Sequence, residues 1–230
     1  MREFLMNSAY FGAIISLISY FIGDYFKRKT KIALISPLLI SVGITIIILI
    51  VLDIPYVNYQ LSTKFLHNLL TPVTVCLAVP LYEKLQLLKN NKAAIFAGII
   101  SGIITSAFTV LLIALIFRLD NSEYVTLFPK SITTAIGVGL SEKLGGMASI
   151  TAPLIVITGI MGAILAPVVF RIFKISDPVA KGIALGTASH AIGTSKAFEY
   201  GETEGAMSSL SIAVSGLLTV IAAPVFASLI

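Results

Sequence analysis

Two cationic side chains lie inside otherwise apolar stretches of this chain. Lys130 lies in FPKSITTAIG (Phe128–Gly137), and His190 lies in GTASHAIGTSKAFEYGE (Gly186–Glu202). A charge at the centre of a bilayer costs about 2.5–3.5 kcal/mol on insertion scales, so such groups usually have a function. All 11 acidic residues lie in loops or near the ends of apolar segments. This asymmetry predicts an anionic ligand rather than a metal cation, which would need carboxylate or carbonyl ligands. No metal and no cofactor are expected.

The Lys130 stretch combines a cation with a helix-breaking proline and several hydroxyls. Pro129 removes one backbone donor and disfavours helix immediately before it, so hydroxyls and free N–H groups can lie beside the ammonium. The alternative is a lysine that extends to the headgroups while the hydroxyls bond to their own helix. The predicted substrate-binding residues here are Lys130, Ser131, Thr133 and Thr134.

The His190 stretch contains a glycine that permits a break in a helix. A break at Gly193 would expose N–H groups that suit a carboxylate or phosphate, and the imidazole could bond the substrate or take up a proton. The alternative is a neutral histidine that joins two helices by one hydrogen bond. Lys196 begins the polar end of the stretch and is interpreted as a headgroup anchor. The predicted substrate-binding residues are Ser189, His190, Gly193, Thr194 and Ser195.

A third irregular stretch, HNLLTPVTVCLAVPLYE (His67–Glu83), carries two prolines. Each proline removes a helix hydrogen bond, and nearby polar side chains could satisfy the freed carbonyls or contact a ligand. A proline-kinked helix without a functional role fits the sequence equally well. The predicted substrate-binding residues are Asn68, Thr71, Pro72 and Thr74.

The elements that position these residues follow from composition. Of 230 residues, 57% are hydrophobic and 12% charged, whereas a soluble domain carries about 25% charged residues. A membrane-spanning helix needs about 20 mostly apolar residues. The chain is therefore predicted to be an all-α polytopic membrane protein, with one transmembrane domain over residues 1–230. Its eight apolar segments are Met6–Phe26, Ile32–Leu52, Phe65–Tyr82, Ala93–Phe117, Val125–Ser141, Ala148–Phe173, Pro178–Lys196 and Ala206–Ile230.

Lysine and arginine positions predict the topology, because cytoplasmic loops are enriched in them. Basic clusters at Lys27–Lys31 and Lys84–Lys92 place those loops inside and the N-terminus outside. If Val125–Ser141 re-enters on one side, the basic loop Arg171–Lys181 is inside and the acidic loop Glu199–Glu204 outside. This predicts about seven transmembrane helices plus one re-entrant segment, with a cytoplasmic C-terminus. Segments three and seven then run antiparallel, which is typical of an inverted repeat with interrupted helices.

Other classes of function lack support in the sequence. There is no HExxH, nucleophile elbow or Walker loop, so an enzyme is not expected. The single cysteine, Cys76, excludes an intramolecular disulfide. The positive charge lies in short clusters that suit helix ends, so no nucleic-acid partner is implied. The pairs Gly98/Gly102 and Gly182/Gly186 are interpreted as helix-packing positions.

Four motifs together resemble the LrgB/CidB family, whose members are called antiholin-like or murein-hydrolase-export regulators. They are LLTPVTVCLAVPLYE, FPKSITTAIG, ITGIMGAILAP (Ile157–Pro167) and GIALGTASHAIGTSKAFEYGETEGAMSSL (Gly182–Leu210). The last motif is the most specific. One departure is Ala135, where the family pattern often has proline after the paired threonines.

The resemblance implies two alternative functions. The family includes the C-terminal part of the plant plastid glycolate/glycerate translocator, and bacterial relatives are implicated in pyruvate movement. This implies a carrier of small monocarboxylates, such as glycolate, glycerate, lactate or pyruvate, in the cell membrane. The alternative is an antiholin-like regulator of murein hydrolase export and autolysis. The resemblance also implies a smaller LrgA/CidA-type membrane partner or a homo-oligomer.

Overall fold

The computed structural model describes residues 8–30, 37–69, 72, 75–76 and 78–230. Over these residues the chain is α-helical, with turns and no β-strand. It forms two compact units, Met1–Cys76 and Leu77–Ile230, which are described separately.

The first unit is built around two helices, α1 (Phe11–Thr30) and α2 (Pro37–Val51). Gly12 lets α1 approach a short helix closely, since its backbone N–H donates to Ser62 Oγ at 2.9 Å. One turn further on, Ser16 Oγ and Tyr59 Oη lie 2.8 Å apart. The large apolar side chains of α1 and α2 are mostly exposed, which suits contact with lipid. The helices are α1 (Phe11–Thr30), α2 (Pro37–Val51), α3 (Tyr56–Ser62) and α4 (Lys64–Asn68).

The second unit contains three helices that are long and apolar enough to cross a membrane. Within the described part of the chain these are Lys89–Phe117, Ala148–Ile172 and Glu202–Ala227, while α2 is a shorter apolar helix. Both their length and their composition are those of a membrane protein. The helices of this unit are α5 (Ala78–Glu83), α6 (Leu85–Phe117), α7 (Asn121–Leu127), α8 (Thr134–Lys143), α9 (Ala148–Ile172), α10 (Pro178–Tyr200) and α11 (Glu202–Ala227).

Helices α7 and α8 form a hairpin whose two ends meet; we call residues 121–145 hairpin one. Asp120 starts α7 with a capping box, because its carboxylate accepts from the Glu123 N–H at 2.8 Å. At the other end, Ser122 Oγ donates to the Gly145 carbonyl at 3.0 Å. The tip, Phe128–Thr133, connects the two helices through a turn that includes Pro129. The segment predicted to re-enter therefore leaves one end of the unit and returns to it.

Helix α10 is also a hairpin, although its hydrogen-bonding pattern is continuous; we call Pro178–Tyr200 hairpin two. The chain reverses at His190, which has φ 41° and ψ −135°. In the first arm, Gly182 packs on the backbone of Glu204 and Gly186 on that of Ser208. Later residues of this arm contact later residues of α11, so the arm runs parallel to α11.

The second arm of hairpin two runs back along α11. Thr194 Oγ1 lies 2.7 Å from Ser208 Oγ, and the Phe198 ring covers Gly205. Later residues of this arm contact earlier residues of α11, so the arm runs antiparallel to α11. The prediction that Pro178–Lys196 crosses as one span is wrong. The helix interruption itself is found, but at His190 rather than at Gly193.

The reversal at His190 places two loops at the same end of the unit: Arg171–Lys181, which was predicted to be inside, and Glu199–Glu204, which was predicted to be outside. Lys181 Nζ lies 5.7 Å from the centre of the Tyr200 ring, and Lys84 Nζ lies 3.4 Å from Glu202 Oε2. The prediction that Lys181 and Glu202 lie on opposite sides is therefore wrong. The prediction failed because it assumed that Pro178–Lys196 crosses the membrane as a straight span. In the structure, the backbone at His190 reverses the direction of this segment.

The C-terminus lies at the other end of the second unit. Asn121 Nδ2 donates to the Ile230 carbonyl at 2.7 Å, and Asn121 follows the end of α6 rather than its start. Since Lys84 precedes α6, the C-terminus and Lys84 lie at opposite ends. The prediction that both are on the cytoplasmic side is wrong for the same reason as above.

Candidate functional site

A small polar cavity lies between the tip of hairpin one, the middle of α6, the first arm of hairpin two and the middle of α11. It holds about 20 Å³. That is enough for about one water molecule and too little for a carboxylic acid. Its remaining walls are apolar, and five hydroxyl residues line it: Ser106, Ser131, Thr187, Ser215 and Thr219.

Lys130 places its ammonium at this group of hydroxyls. Its Nζ donates to Ser131 Oγ at 3.1 Å and to Ser106 Oγ at 3.3 Å. The two serine oxygens lie 3.2 Å apart. Lys130 is half-buried, and no carboxylate pairs with it in the part of the chain that the structure describes. Because an ammonium has three donors, one remains for an anion.

The irregular tip of hairpin one holds Lys130 in place. Pro129 is fully buried, and Gly137 at the start of the returning helix packs beneath the Pro129 carbonyl. Phe128 and Ile132, on either side, are buried in the hydrophobic core. The apolar neighbours fix the backbone, so the lysine side chain is the part of the tip that can serve a ligand.

Thr187 supplies a hydroxyl to the cavity that bonds nothing among the described residues. Its Oγ1 is buried without a hydrogen bond there, which costs about 1–3 kcal/mol. Its methyl group occupies the space above Gly102 of α6, where a side chain would collide. Thr187 therefore faces α6 and the cavity, and a ligand that accepts its hydrogen bond would remove the cost of its burial.

His190 lies at the tip of hairpin two and faces α9. Its Nε2 donates to the Ile155 carbonyl at 2.9 Å, because a carbonyl can only accept. The ring lies against Gly159, and the neighbouring Ser189 lies against Gly162. This is the helix-joining hydrogen bond that the sequence offered as the alternative. A ligand-binding role for His190 stays a prediction.

The remaining predicted residues have varied surroundings. Thr194 Oγ1 bonds Ser208, whereas Ser195 is exposed and bonds the Ala191 carbonyl of its own helix at 3.3 Å. Thr133 precedes α8 without a side-chain cap bond, and Thr134 is exposed. Lys196 bonds Glu199 at 2.6 Å. Gly193 lies in the interior of hairpin two.

The residues predicted from the third irregular stretch belong to the first unit. Asn68 and Pro72 are exposed there, while Thr71 and Thr74 lie outside the described residues. Their convergence with Lys130 and His190 stays a prediction. In the described part of the chain no three His, Cys, Asp or Glu side chains group to hold a metal.

Sequence reasoning missed four of the cavity's five hydroxyl residues. Ser106, Ser215 and Thr219 lie in long apolar helices, where serine and threonine are common, whereas Thr187 lies in the His190 stretch but was not selected. One signal was present: Ser106 lies one turn after Gly102, on the face of α6 that the glycine pair marks for close packing.

Fold and site together define a class: an all-helical membrane protein with two interrupted hairpins around a hydroxyl-lined, cationic centre. Within that class, the chain belongs to the LrgB-like family, whose model matches residues 16–229. The Antiholin-like protein LrgB of Bacillus subtilis (strain 168) is 36% identical over 224 residues, 97% of each chain. The protein of the same name from Bacillus cereus (strain B4264) is 34% identical over 218 residues, 94% of this chain and 95% of the relative. No solved structure matches significantly.

Proposed function

We propose that this chain is a membrane carrier for small monocarboxylates of the glycolate, glycerate, lactate and pyruvate class. The observation that carries the proposal is the meeting of two hairpins from opposite ends of the second unit beside Lys130. Carriers built from inverted halves place their sites near the midplane, where broken helices leave backbone and polar groups free for an ion or substrate. Irregular backbone at that depth must line a cavity or be buried in protein.

The chemistry of the cavity matches a 2-hydroxy or 2-oxo acid. The carboxylate accepts hydrogen bonds from Lys130 Nζ and Ser131, and the oxygen at carbon 2 accepts from the unpaired Thr187 hydroxyl. A cavity of about 20 Å³ cannot hold such an acid. The hairpin tips must therefore separate to admit it, first toward one side of the membrane and then toward the other.

Uptake into liposomes tests the proposal. The purified chain, alone and with an LrgA/CidA-type partner, is reconstituted and supplied with labelled glycolate, lactate or pyruvate. We expect saturable uptake that the unlabelled acids inhibit and that a neutral analogue such as ethylene glycol does not. Absence of uptake with and without the partner would contradict the carrier function.

A second candidate function is the antiholin-like regulation of murein hydrolase export and autolysis. The observation that favours it is the name of the relatives, Antiholin-like protein LrgB, which match almost the whole chain. The comparisons support this candidate better than they support the carrier. Expression of the chain in cells that lack their own LrgB-type protein would then reduce autolysis. A reduction that persists in a Lys130→Ala variant without carboxylate uptake would separate the two functions.

The membrane topology that accompanies this proposal has α6, α9 and α11 crossing and both hairpins re-entering. The basic end, with Lys84, Arg171 and Lys181, is assigned to the cytoplasm by the positive-inside rule. In a Cys76→Ser background, single cysteines at Ser176 and Glu202 should label from the cytoplasmic side. A cysteine at Asn121 should label from outside. Labelling of the Glu202 position from the same side as the Asn121 position would overturn this topology.

A further inference from the structure

A basic groove lies at the end of the second unit where α9 ends and hairpin two begins. It is open, holds about 620 Å³ and is lined by Arg171, Lys174 and Lys181 together with the Tyr200 ring. Tyr200 forms one wall, packed edge-on against Phe170 with ring centres 5.8 Å apart. The ring also lies 5.7 Å from Lys181 Nζ. The groove is far from the polar cavity and takes no part in the proposed transport.

No acidic side chain forms a salt bridge with these three cations among the described residues. Two carboxylates lie nearby, and each already has a partner. Asp177 caps hairpin two by accepting from the Ala180 N–H at 2.8 Å, and Glu199 accepts from Lys196 at 2.6 Å. Asp177 keeps its negative charge, because the Ala180 N–H is neutral, but none of the three groove cations forms a salt bridge in the part of the chain that the structure describes.

The backbone at Lys174, one of the groove residues, has a strained left-handed conformation. Lys174 has φ 53°, in the left-handed region. The Ile175 N–H bonds the Phe170 carbonyl at 2.8 Å and the Lys174 N–H bonds that of Arg171 at 3.3 Å. These two bonds are a Schellman motif, which normally takes glycine at the left-handed position. A non-glycine residue there costs about 1–2 kcal/mol. The motif ends α9 and leaves Lys174 in the lining of the groove.

The surroundings of the groove are those of the headgroup layer. Arg171 lies in the last turn of α9, an apolar helix of membrane-spanning length. Beside it, Ile172 and Phe173 are 67% and 71% exposed, so they can contact acyl chains directly above the cations. Basic pockets between membrane helices at this depth suit anionic headgroups.

We propose that this groove binds the phosphate of an anionic phospholipid, such as phosphatidylglycerol. Arg171 and Lys174 at the end of α9 and Lys181 in hairpin two contact the same phosphate. The lipid would therefore tie hairpin two to α9. The proposal requires only that the chain lies in a membrane, and it holds whichever of the two functions is correct.

The test measures thermal unfolding of the full chain in phosphatidylcholine nanodiscs with increasing phosphatidylglycerol. We expect a rise in the unfolding midpoint that saturates. Each charge-assisted hydrogen bond to the phosphate contributes about 1.5 kcal/mol or more, so Arg171→Gln should raise the half-saturating lipid fraction at least about 10-fold, and Arg171→Gln with Lys181→Gln at least about 100-fold. The control is Lys89→Gln with Lys92→Gln. It removes the same charge from exposed positions of α6 outside the groove and should raise the half-saturating fraction much less, because only the general attraction of surface charges is lost.

A Lys174→Gly variant separates lipid binding from folding. Glycine relieves the left-handed strain, so this variant should unfold at an equal or higher temperature in pure phosphatidylcholine. It should nevertheless gain less from phosphatidylglycerol than the unmodified chain. Equal gains in the groove and control variants would overturn the proposal, as would a full gain in Lys174→Gly. The same gain from inorganic phosphate alone would assign the groove to a soluble anion and would also overturn it.

Discussion

Replacing Lys130 with alanine should weaken binding of a small monocarboxylate by about 10-fold to about 150-fold. The reason is that a hydrogen bond to a charged group contributes about 1.5–3 kcal/mol. Among the described residues the lysine bonds only the neutral hydroxyls of Ser106 and Ser131, so its removal leaves no carboxylate without its partner there. The variant should therefore fold normally. Binding is measured by calorimetry on the purified protein, and the transport effect by uptake into liposomes.

The matched control for this prediction is Lys143→Ala. Lys143 lies in the same hairpin, is exposed, and ends helix α8 well away from the cavity. The two variants have the same net charge, so any general electrostatic effect on an anion is equal in both. A loss of affinity in the control as large as in Lys130→Ala would show that the cavity is not the binding site. Unchanged affinity in both would lead to the same conclusion.

The positive-inside rule favoured a returning segment at the first hairpin, because only then does the basic loop Arg171–Lys181 lie on the cytoplasmic side. Pro129 disfavours helix immediately before it in the Lys130 stretch. In the structure, Ser122 and Gly145 indeed meet at the base of hairpin one. Lys130, the intramembrane cation that the sequence singled out, lies at its tip beside a polar cavity.

The second hairpin could not be predicted from the same kind of reasoning. Its reversal occurs at His190, which has φ 41°, although positive φ is uncommon for any residue other than glycine. Nothing local requires the turn: it is held by contacts with α9, where Gly159 and Gly162 leave room for the His190 and Ser189 side chains. Such tertiary contacts are invisible to hydropathy. Hydropathy therefore predicts that this stretch of 23 residues, which has no proline after its first position, crosses the membrane once.

The cavity also depends on tertiary packing. The sequence predicted substrate-binding residues near Lys130 and His190, but Ser106, Thr187, Ser215 and Thr219 meet only because α6, α11 and the first arm of hairpin two pack together. Glycine spacing carried part of this information. Gly98 and Gly102 were interpreted as packing positions, and they contact Ile183 and Thr187 of hairpin two. These contacts confirm that Gly98 and Gly102 are helix-packing positions. They also place Thr187 beside the cavity.

Gly193→Ala should destabilise the protein by about 1–3 kcal/mol, the usual cost of adding a methyl group to a closely packed site. Gly193 lies in the returning arm of hairpin two, against the Leu185 carbonyl and the Ser189 side chain of the first arm. A carbonyl of the helix backbone cannot move aside as a flexible side chain can. The added methyl group must therefore push the two arms apart. Because the first arm also carries Thr187, carboxylate uptake should fall as well.

The comparison for this variant is Gly139→Ala. Gly139 lies inside helix α8 with open space where a Cβ would stand, so alanine there should stabilise the helix by about 0.5–1 kcal/mol. The same chemical change thus has opposite predicted signs at two positions, one in each hairpin. Reversible unfolding in mixed micelles, or the thermal midpoint in detergent, measures both. If Gly193→Ala is as stable as Gly139→Ala, the two arms of hairpin two do not pack against each other, and Pro178–Tyr200 is a single crossing helix.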